Sequence, residues 1–335
     1  MSRVTERLVA GDIARGAQIL HGGGTVAFPT ETVYGLGANA LDAEAVAGIF
    51  AAKERPRWDP LIVHVSSRAM LDRVAVVTAQ AQKLMEAFWP GPLTLLLERR
   101  AGIPDAVTAG RPLVGVRMPA HPLALALIEA AGFPVAAPSA NRFGRTSPTT
   151  IAHVLEDLDG RIDAVLDGGA TEVGVESTVL DPNQMPMMIY RPGAVTQAML
   201  QGVGGAVVLF AAERETIFEP ESLPSPGVGM RHYAPRARLV LVETQRELRD
   251  GLDDLTAGKE RVGVMLPQGW TVDRRAVEVF AWNHFDDAAG LAQSLFAGLR
   301  ELDRRGVAVI VCPVPARDGM GLAIRDRLEK AARAK

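Results

Sequence analysis

Two hydrophobic rhythms alternate along the chain. Short apolar runs of strand length are bounded by proline or glycine, and between them lie stretches with apolar residues three and four apart, the spacing of a buried helix face. The pattern predicts a helix over Ile13–Leu20, stopped by Gly22-Gly23-Gly24, then a strand beginning at Thr25 and ending at Pro29, which lacks the N–H a sheet ladder needs. The residues after it, Thr30-Glu31-Thr32-Val33-Tyr34-Gly35-Leu36-Gly37, carry hydroxyls and an acid into what reads as a glycine turn. Asp42 caps a predicted helix to Lys53, and the proline-punctuated basic segment Lys53-Glu54-Arg55-Pro56-Arg57-Trp58-Asp59-Pro60 follows. Further strands are predicted at Leu61–Val65, Leu93–Leu97, Val114–Met118, Ala164–Leu166, Ser177–Leu180 and Met187–Tyr190, with helices over Thr78–Phe88 and His121–Ala131. Ser147-Pro148 reads as an N-cap followed by proline at the first helical position, opening a helix to about Leu158, and a short helix is predicted near Val195–Gln201.

The rhythm breaks over Glu219–Pro235, which holds Pro220, Pro224, Pro226 and Pro235 and no period of either kind. Beyond it, short apolar runs at Leu239–Val242, Val262–Leu266, Val277–Phe280 and Val307–Val311 alternate with helical stretches, notably Asp286–Arg305. That alternation predicts a small parallel-sheet α/β domain. The expected organisation is a mixed α/β domain over 1–205, a linker over 206–236 and a second α/β domain over 237–335.

Composition narrows the function classes. With 48% apolar and 22% charged residues the chain is globular in character, and a net charge of −3 argues against a protein that coats nucleic acid, though not against a local basic cleft. The single cysteine, Cys312, rules out a disulfide framework or a cysteine-rich zinc site; it follows an apolar run and reads as a buried thiol. No apolar core of a signal peptide follows Met1–Arg7, and no run approaches a membrane span, so a soluble cytoplasmic protein is expected.

The familiar catalytic signatures are missing: no phosphate loop with its Gly-Lys-Ser/Thr, no His-Glu-x-x-His, no Gly-x-Ser-x-Gly. Gly35-Leu36-Gly37-Ala38-Asn39-Ala40 fits a dinucleotide fingerprint only in degenerate form, with no acidic residue at a strand end about twenty residues on. What remains is a set of polar residues at predicted strand ends: Thr30 and Thr32, Lys53 and Arg55, His64, Arg117, Ser139 and Asn141, Ser177, and Arg191. Ligands of α/β sheets gather at strand ends, and four cations among these residues suit a phosphate or carboxylate. Taken singly each has a plain structural reading: a solvated helix end for Lys53 and Arg55, a core histidine for His64, surface ion pairs for Arg117 and Arg191, a turn for Ser139–Asn141.

Taken jointly, the motifs resemble a known family. Pro29-Thr30-Glu31-Thr32-Val33-Tyr34-Gly35-Leu36, Lys53-Glu54-Arg55-Pro56, Pro60-Leu61-Ile62-Val63-His64, Trp89-Pro90-Gly91-Pro92-Leu93-Thr94, Val116-Arg117-Met118-Pro119, Pro138-Ser139-Ala140-Asn141, Glu176-Ser177-Thr178 and Arg191-Pro192-Gly193 are similar, in order, to blocks of the YrdC-type threonylcarbamoyl-AMP synthases. Ser225-Pro226-Gly227, Arg231-His232-Tyr233-Ala234-Pro235 and the tail Gly319–Ile324 resemble the longer branch with a C-terminal Rossmann-like domain. The resemblance implies a YrdC-like twisted open sheet with flanking helices. It implies the reaction of L-threonine, bicarbonate and ATP to threonylcarbamoyl-adenylate and pyrophosphate, with Mg2+ on the ATP. A separate tRNA-modifying transferase would receive the adenylate to make N6-threonylcarbamoyladenosine.

By the same resemblance Lys53 and Arg55 are the catalytic cations, and Thr32, His64, Arg117, Ala137 and Ser177 hold threonine, with Arg117 on its carboxylate. Thr30, Lys53, Arg55, Asp59, Ser139, Asn141, Ser147, Arg191 and Tyr233 hold ATP, no protein metal site is implied, and the linker carrying Tyr233 is expected to close as a lid. Arg57-Trp58-Asp59 departs from the pattern, with an aromatic and an acid where a small or amide-bearing segment is expected. Two other classes compete. An RNA-binding module on the same fold would bind with steep salt dependence, against which stands the low aromatic content of 5%. A carbamoyl-adenylate enzyme of hydrogenase maturation carries zinc fingers that one cysteine cannot build.

Overall fold

The computed structural model describes residues 4–211, 223, 225, 233–258, 260–273 and 277–333. By its contacts the chain forms two units. The first comprises Met1–Phe143, Pro148–Glu172 and Glu176–Gly229; the second comprises Gly144–Ser147, Val173–Val175 and Met230–Lys335. Most of the expected linker and lid over 206–236 lies outside the described residues, and its first part is no linker: Val207–Leu209 pairs in parallel with Met187–Ile189.

The first unit is built on a mixed twelve-stranded sheet. Its strands run in the spatial order Glu6–Leu8, Ala164–Leu166, Val26–Phe28, Gly35–Asn39, Val135–Ala136, Ile62–His64, Leu113–Arg117, Leu93–Arg99, Thr178–Asp181, Met187–Arg191 and Val207–Leu209, with Ala75–Val76 paired to the end of Leu93–Arg99. The middle strands are almost wholly buried, as their unbroken apolar sequences require. Helices Ile13–His21, Ala43–Lys53, Ala79–Phe88 and Pro122–Ala131 begin and end where local chemistry dictates. Asp42 accepts from the amides of Glu44 and Ala45, Thr78 from Ala81, and Gly132 closes its helix at φ 69°.

Two further expectations are corrected, and some elements were not expected at all. Gly35–Asn39 is a strand, antiparallel to Val26–Phe28, so the loop is Pro29–Tyr34 and the glycines follow it. Their role is close packing: a Cβ on Gly37 would stand 2.7 Å from both Phe28 Cε1 and Val135 Cγ1. The helix expected from Ser147 starts at Ile151, because Thr150 caps it through the His153 amide while the Pro148 carbonyl accepts the Tyr34 amide at 2.9 Å. A helix over Arg68–Val74, capped by Ser67, was not predicted, nor were the short strands Glu6–Leu8 and Val207–Leu209.

The second unit holds a four-stranded, all-parallel sheet in the order Arg238–Val242, Val309–Pro313, Val262–Pro267, Glu278–Trp282, with helices Gln245–Ala257, Ala288–Arg304 and Gly319–Ala332. This is the small parallel α/β sheet expected from the alternating pattern. Cys312 is fully buried in it, and burial pushes its thiol pKa up. Among the described residues no helix is long and apolar enough to cross a membrane.

Candidate active site

The site is built from segments that leave, enter or end the middle strands of the first unit. Arg117, the last residue of Leu113–Arg117, is 3% exposed and reaches three ways. Its Nε donates to the Gly91 carbonyl at 3.1 Å, Nη1 to Thr32 Oγ1 at 2.9 Å, and Nη2 stands 2.5 Å from Glu31 Oε1. Burial would raise the Glu31 pKa, but the Arg117 guanidinium, together with the amides of Glu31 and Ala120, holds the carboxyl below its ordinary value. Thr30 Oγ1 lies 2.6 Å from the Val33 carbonyl, to which it donates, and 2.8 Å from Thr32 Oγ1. Thr30 has only one proton, so Thr32 gives its own to Thr30.

His64 lies beside Arg117 in a parallel register and turns its ring edge-on to Phe28, 6.0 Å between centroids. Burial, and after it the charge of Arg117, lowers its pKa to about 3, so the imidazole is neutral. Ala137 donates its amide to the Ile62 carbonyl at 2.8 Å, next to the strand that carries His64. Ser177 receives Arg191 Nη2 at 3.1 Å on its hydroxyl and Arg191 Nε at 2.9 Å on its carbonyl, and its hydroxyl pairs with Thr94 at 2.8 Å. Pro92 links the two groups: its carbonyl accepts the Thr178 amide, and its neighbour Gly91 accepts from Arg117.

The second cluster closes the helix Ala43–Lys53. Lys53 is 1% exposed, and its ammonium donates to the carbonyls of Ser139 and Asn141. Desolvation, then the nearby charge of Arg55, holds its pKa well below the ordinary lysine value. The Phe143 amide in turn bonds the Lys53 carbonyl at 2.9 Å, so the segment Ser139–Phe143 is pinned to the helix end. Arg55 pairs with the fully buried Asp59 at 2.9 Å and donates to the carbonyls of Asp59 and Pro60. The acid that departs from the family pattern is thus the counter-ion of Arg55.

Of the expected residues, Thr30, Thr32, His64 and Arg117 come together, Ser177 and Arg191 form a pair linked to them through Gly91–Pro92, and Lys53, Arg55, Asp59, Ser139 and Asn141 form the adjoining group. Ser147 and Tyr233 belong to the second unit. There Tyr233 has φ 66°, stacks on Phe296 at 5.9 Å and lies under the guanidinium of Arg327 at 5.3 Å. Sequence reasoning gave no role to Glu31, although it stands between Thr30 and Thr32, or to Thr94, the last residue of its motif. Among the described residues no group of three or more His, Cys, Asp or Glu is placed to hold a metal ion.

The family model described as telomere recombination, covering Sua5, YciO and YrdC proteins, matches residues 18–193, and that of the threonylcarbamoyl-AMP synthase C-terminal domain matches 195–333. The chain belongs to the Sua5/YciO/YrdC family. Within this family it is 42% identical to the threonylcarbamoyl-AMP synthase of Pyrococcus abyssi, over 98% of this chain and 96% of that one. It is also 42% identical to the threonylcarbamoyl-AMP synthase of Bacillus subtilis, with the same coverage of 98% and 96%. A crystal structure of P. abyssi Sua5 complexed with L-threonine superposes with a TM-score of 0.91 at 39% identity, covering 99% of this chain and 98% of that one. Sua5-type architecture therefore extends through both units.

Proposed function

We propose that this chain is a threonylcarbamoyl-AMP synthase acting in the cytoplasm, which converts L-threonine, bicarbonate and ATP into threonylcarbamoyl-adenylate and pyrophosphate. A separate transferase would then use the adenylate on tRNA. The observation that carries this reading is a buried guanidinium, Arg117, set among hydroxyls and a neutral imidazole, in a chain related to such synthases along nearly its whole length.

The threonine ammonium gives up a proton to water, the free amine attacks the bicarbonate carbon and water leaves, giving N-carboxy-threonine. Its new carboxylate oxygen attacks the α-phosphorus of ATP, and the bond from that phosphorus to the bridging oxygen breaks, pyrophosphate leaving with the electron pair. This displacement calls for charge stabilisation and in-line placement rather than a protein nucleophile. Arg117, Thr32, His64, Ala137 and Ser177 would hold threonine. Lys53 would act largely through geometry, fixing Ser139–Asn141 against the nucleotide, while Arg55, Arg191 and Thr30 line the phosphate side. Magnesium would arrive on the triphosphate as part of the substrate, held by phosphate and water.

Pyrophosphate release from ATP and magnesium, omitting threonine or bicarbonate in turn, tests this. Release that requires both is expected, and chelation of magnesium should stop it, since the ion would arrive on the triphosphate. Release indifferent to threonine would overturn the reading. Salt-sensitive RNA binding without any release would favour a binding module.

A further inference from the structure

Arg117 is not a bare cation awaiting a carboxylate. Its Nη2 is occupied by Glu31, whose side chain is 8% exposed. Neither carboxylate oxygen of Glu31 receives a well-aligned hydrogen bond; its own amide and that of Ala120 lie near it, and so do the imidazoles of His64 and His121. The acid is held chiefly by the charge of Arg117.

A ligand that brought only a carboxylate to Arg117 would take that charge away and strand a buried anion, which is strongly unfavourable. A zwitterion does not create this problem. With its carboxylate on the guanidinium and its ammonium on the acid, the buried ensemble stays neutral and both protein charges keep a partner. We propose that Glu31 is the ammonium-recognising residue of the amino-acid site, and that the Glu31–Arg117 pair opens to admit a zwitterionic α-amino acid. This rests on the reading of the site as a threonine site given above.

The donor inventory agrees. An ammonium has three N–H donors and no acceptor, the complement of a carboxylate short of donors. Thr32 points the same way. Its proton is committed to Thr30, so its oxygen accepts from Arg117 and offers only lone pairs to a ligand. Thr32 can therefore receive a second N–H but gives a carboxylate nothing. Glu31 selects by penalty as well as by attraction, since acids lacking the amine are rejected through the charge they would leave behind.

Calorimetric titration of the full chain with L-threonine and with (3R)-3-hydroxybutyrate, which keeps carboxylate and hydroxyl but lacks the amine, tests the proposal. Wild-type protein is expected to prefer threonine strongly. Glu31→Gln should weaken threonine by about 30-fold or more, as loss of one partner of a buried charge pair does. The same variant should leave 3-hydroxybutyrate unchanged or bind it more tightly, because no anion is stranded. A merely structural role would weaken both ligands alike, and that outcome, or unchanged threonine affinity, overturns the proposal. Should Glu31→Gln fail to fold, Glu31→Asp is measured instead: a smaller preference for threonine supports the assignment and an unchanged preference overturns it. Failure of wild-type protein to bind threonine at all would remove the functional reading itself, and is distinct from failure of the variant to discriminate.

Discussion

His64 should carry a large acid-side share of the pH-dependent stability of the first unit. Its ring is 4% exposed and beside the Arg117 guanidinium, and its pKa falls from 6.5 to about 3. The unfolded chain therefore binds a proton over this window that the folded chain refuses. Stability is full above 6.5 and declines as pH falls toward about 3. Over the whole window the loss is about 5 kcal/mol, at about 1.4 kcal/mol per pH unit, and between pH 7 and pH 5 it is about 2 kcal/mol. Against a total of about 5–15 kcal/mol for a typical fold that is a sizeable fraction. Urea unfolding of wild type and His64→Gln across this range is expected to give curves that converge on acidification, the wild type losing about 2 kcal/mol more than the variant by pH 5. Imidazole proton resonances supply the direct check. Of the six histidines, the one signal absent from His64→Gln should stay at its neutral position down to pH 5. A His64 signal titrating near 6.5, or unfolding curves that stay parallel, would refute the reasoning.

Two other outcomes follow from packing. Lys53→Met removes the donor for two loop carbonyls, at about 1–3 kcal/mol for each buried group left unsatisfied. It should lower the melting temperature and weaken ATP binding about tenfold or more, with threonine affinity changing far less, as calorimetry with each ligand would show. Gly37→Ala places a methyl 2.7 Å from Phe28 Cε1 and Val135 Cγ1 and should cost about 1–3 kcal/mol, read as a lowered urea midpoint.

What was legible in the sequence was local. Asp42, Thr78, His121 and Gly132 mark helix ends because a cap acts on amides or carbonyls within four residues of itself. Gly35 and Gly37 misled because glycine signals either a turn or a close approach, and only the neighbouring strand, with Phe28 and Val135, decides which. Ser147-Pro148 looked like a helix start, yet the nearby Thr150 also offers a capping hydroxyl, and a bond from the distant Tyr34 amide holds Pro148 out of the helix. Three-residue strands such as Glu6–Leu8 are too short to show a period. In the site, the family-like order of motifs brought Thr32 and Arg117 to one place. Their counter-ions stayed hidden: Glu31 meets Arg117 only through the fold, and Asp59, although near Arg55 in sequence, looked like an intruder rather than a partner.

The outer strand Val207–Leu209 sets where the first unit can be separated from the rest of the chain. It adds in parallel to Met187–Ile189, and Val208, Leu209 and Phe210 beside it remain more than a third exposed, with Phe210 against the ring of Tyr190. Severing the chain after Gly205 would strip this strand away and bare the peptide groups of Met187–Arg191 along an apolar margin, a template for self-association. Retaining it through Ala211 leaves that margin covered. Three residues with no catalytic group thus decide which strand's peptide groups form the open edge of the first unit's sheet.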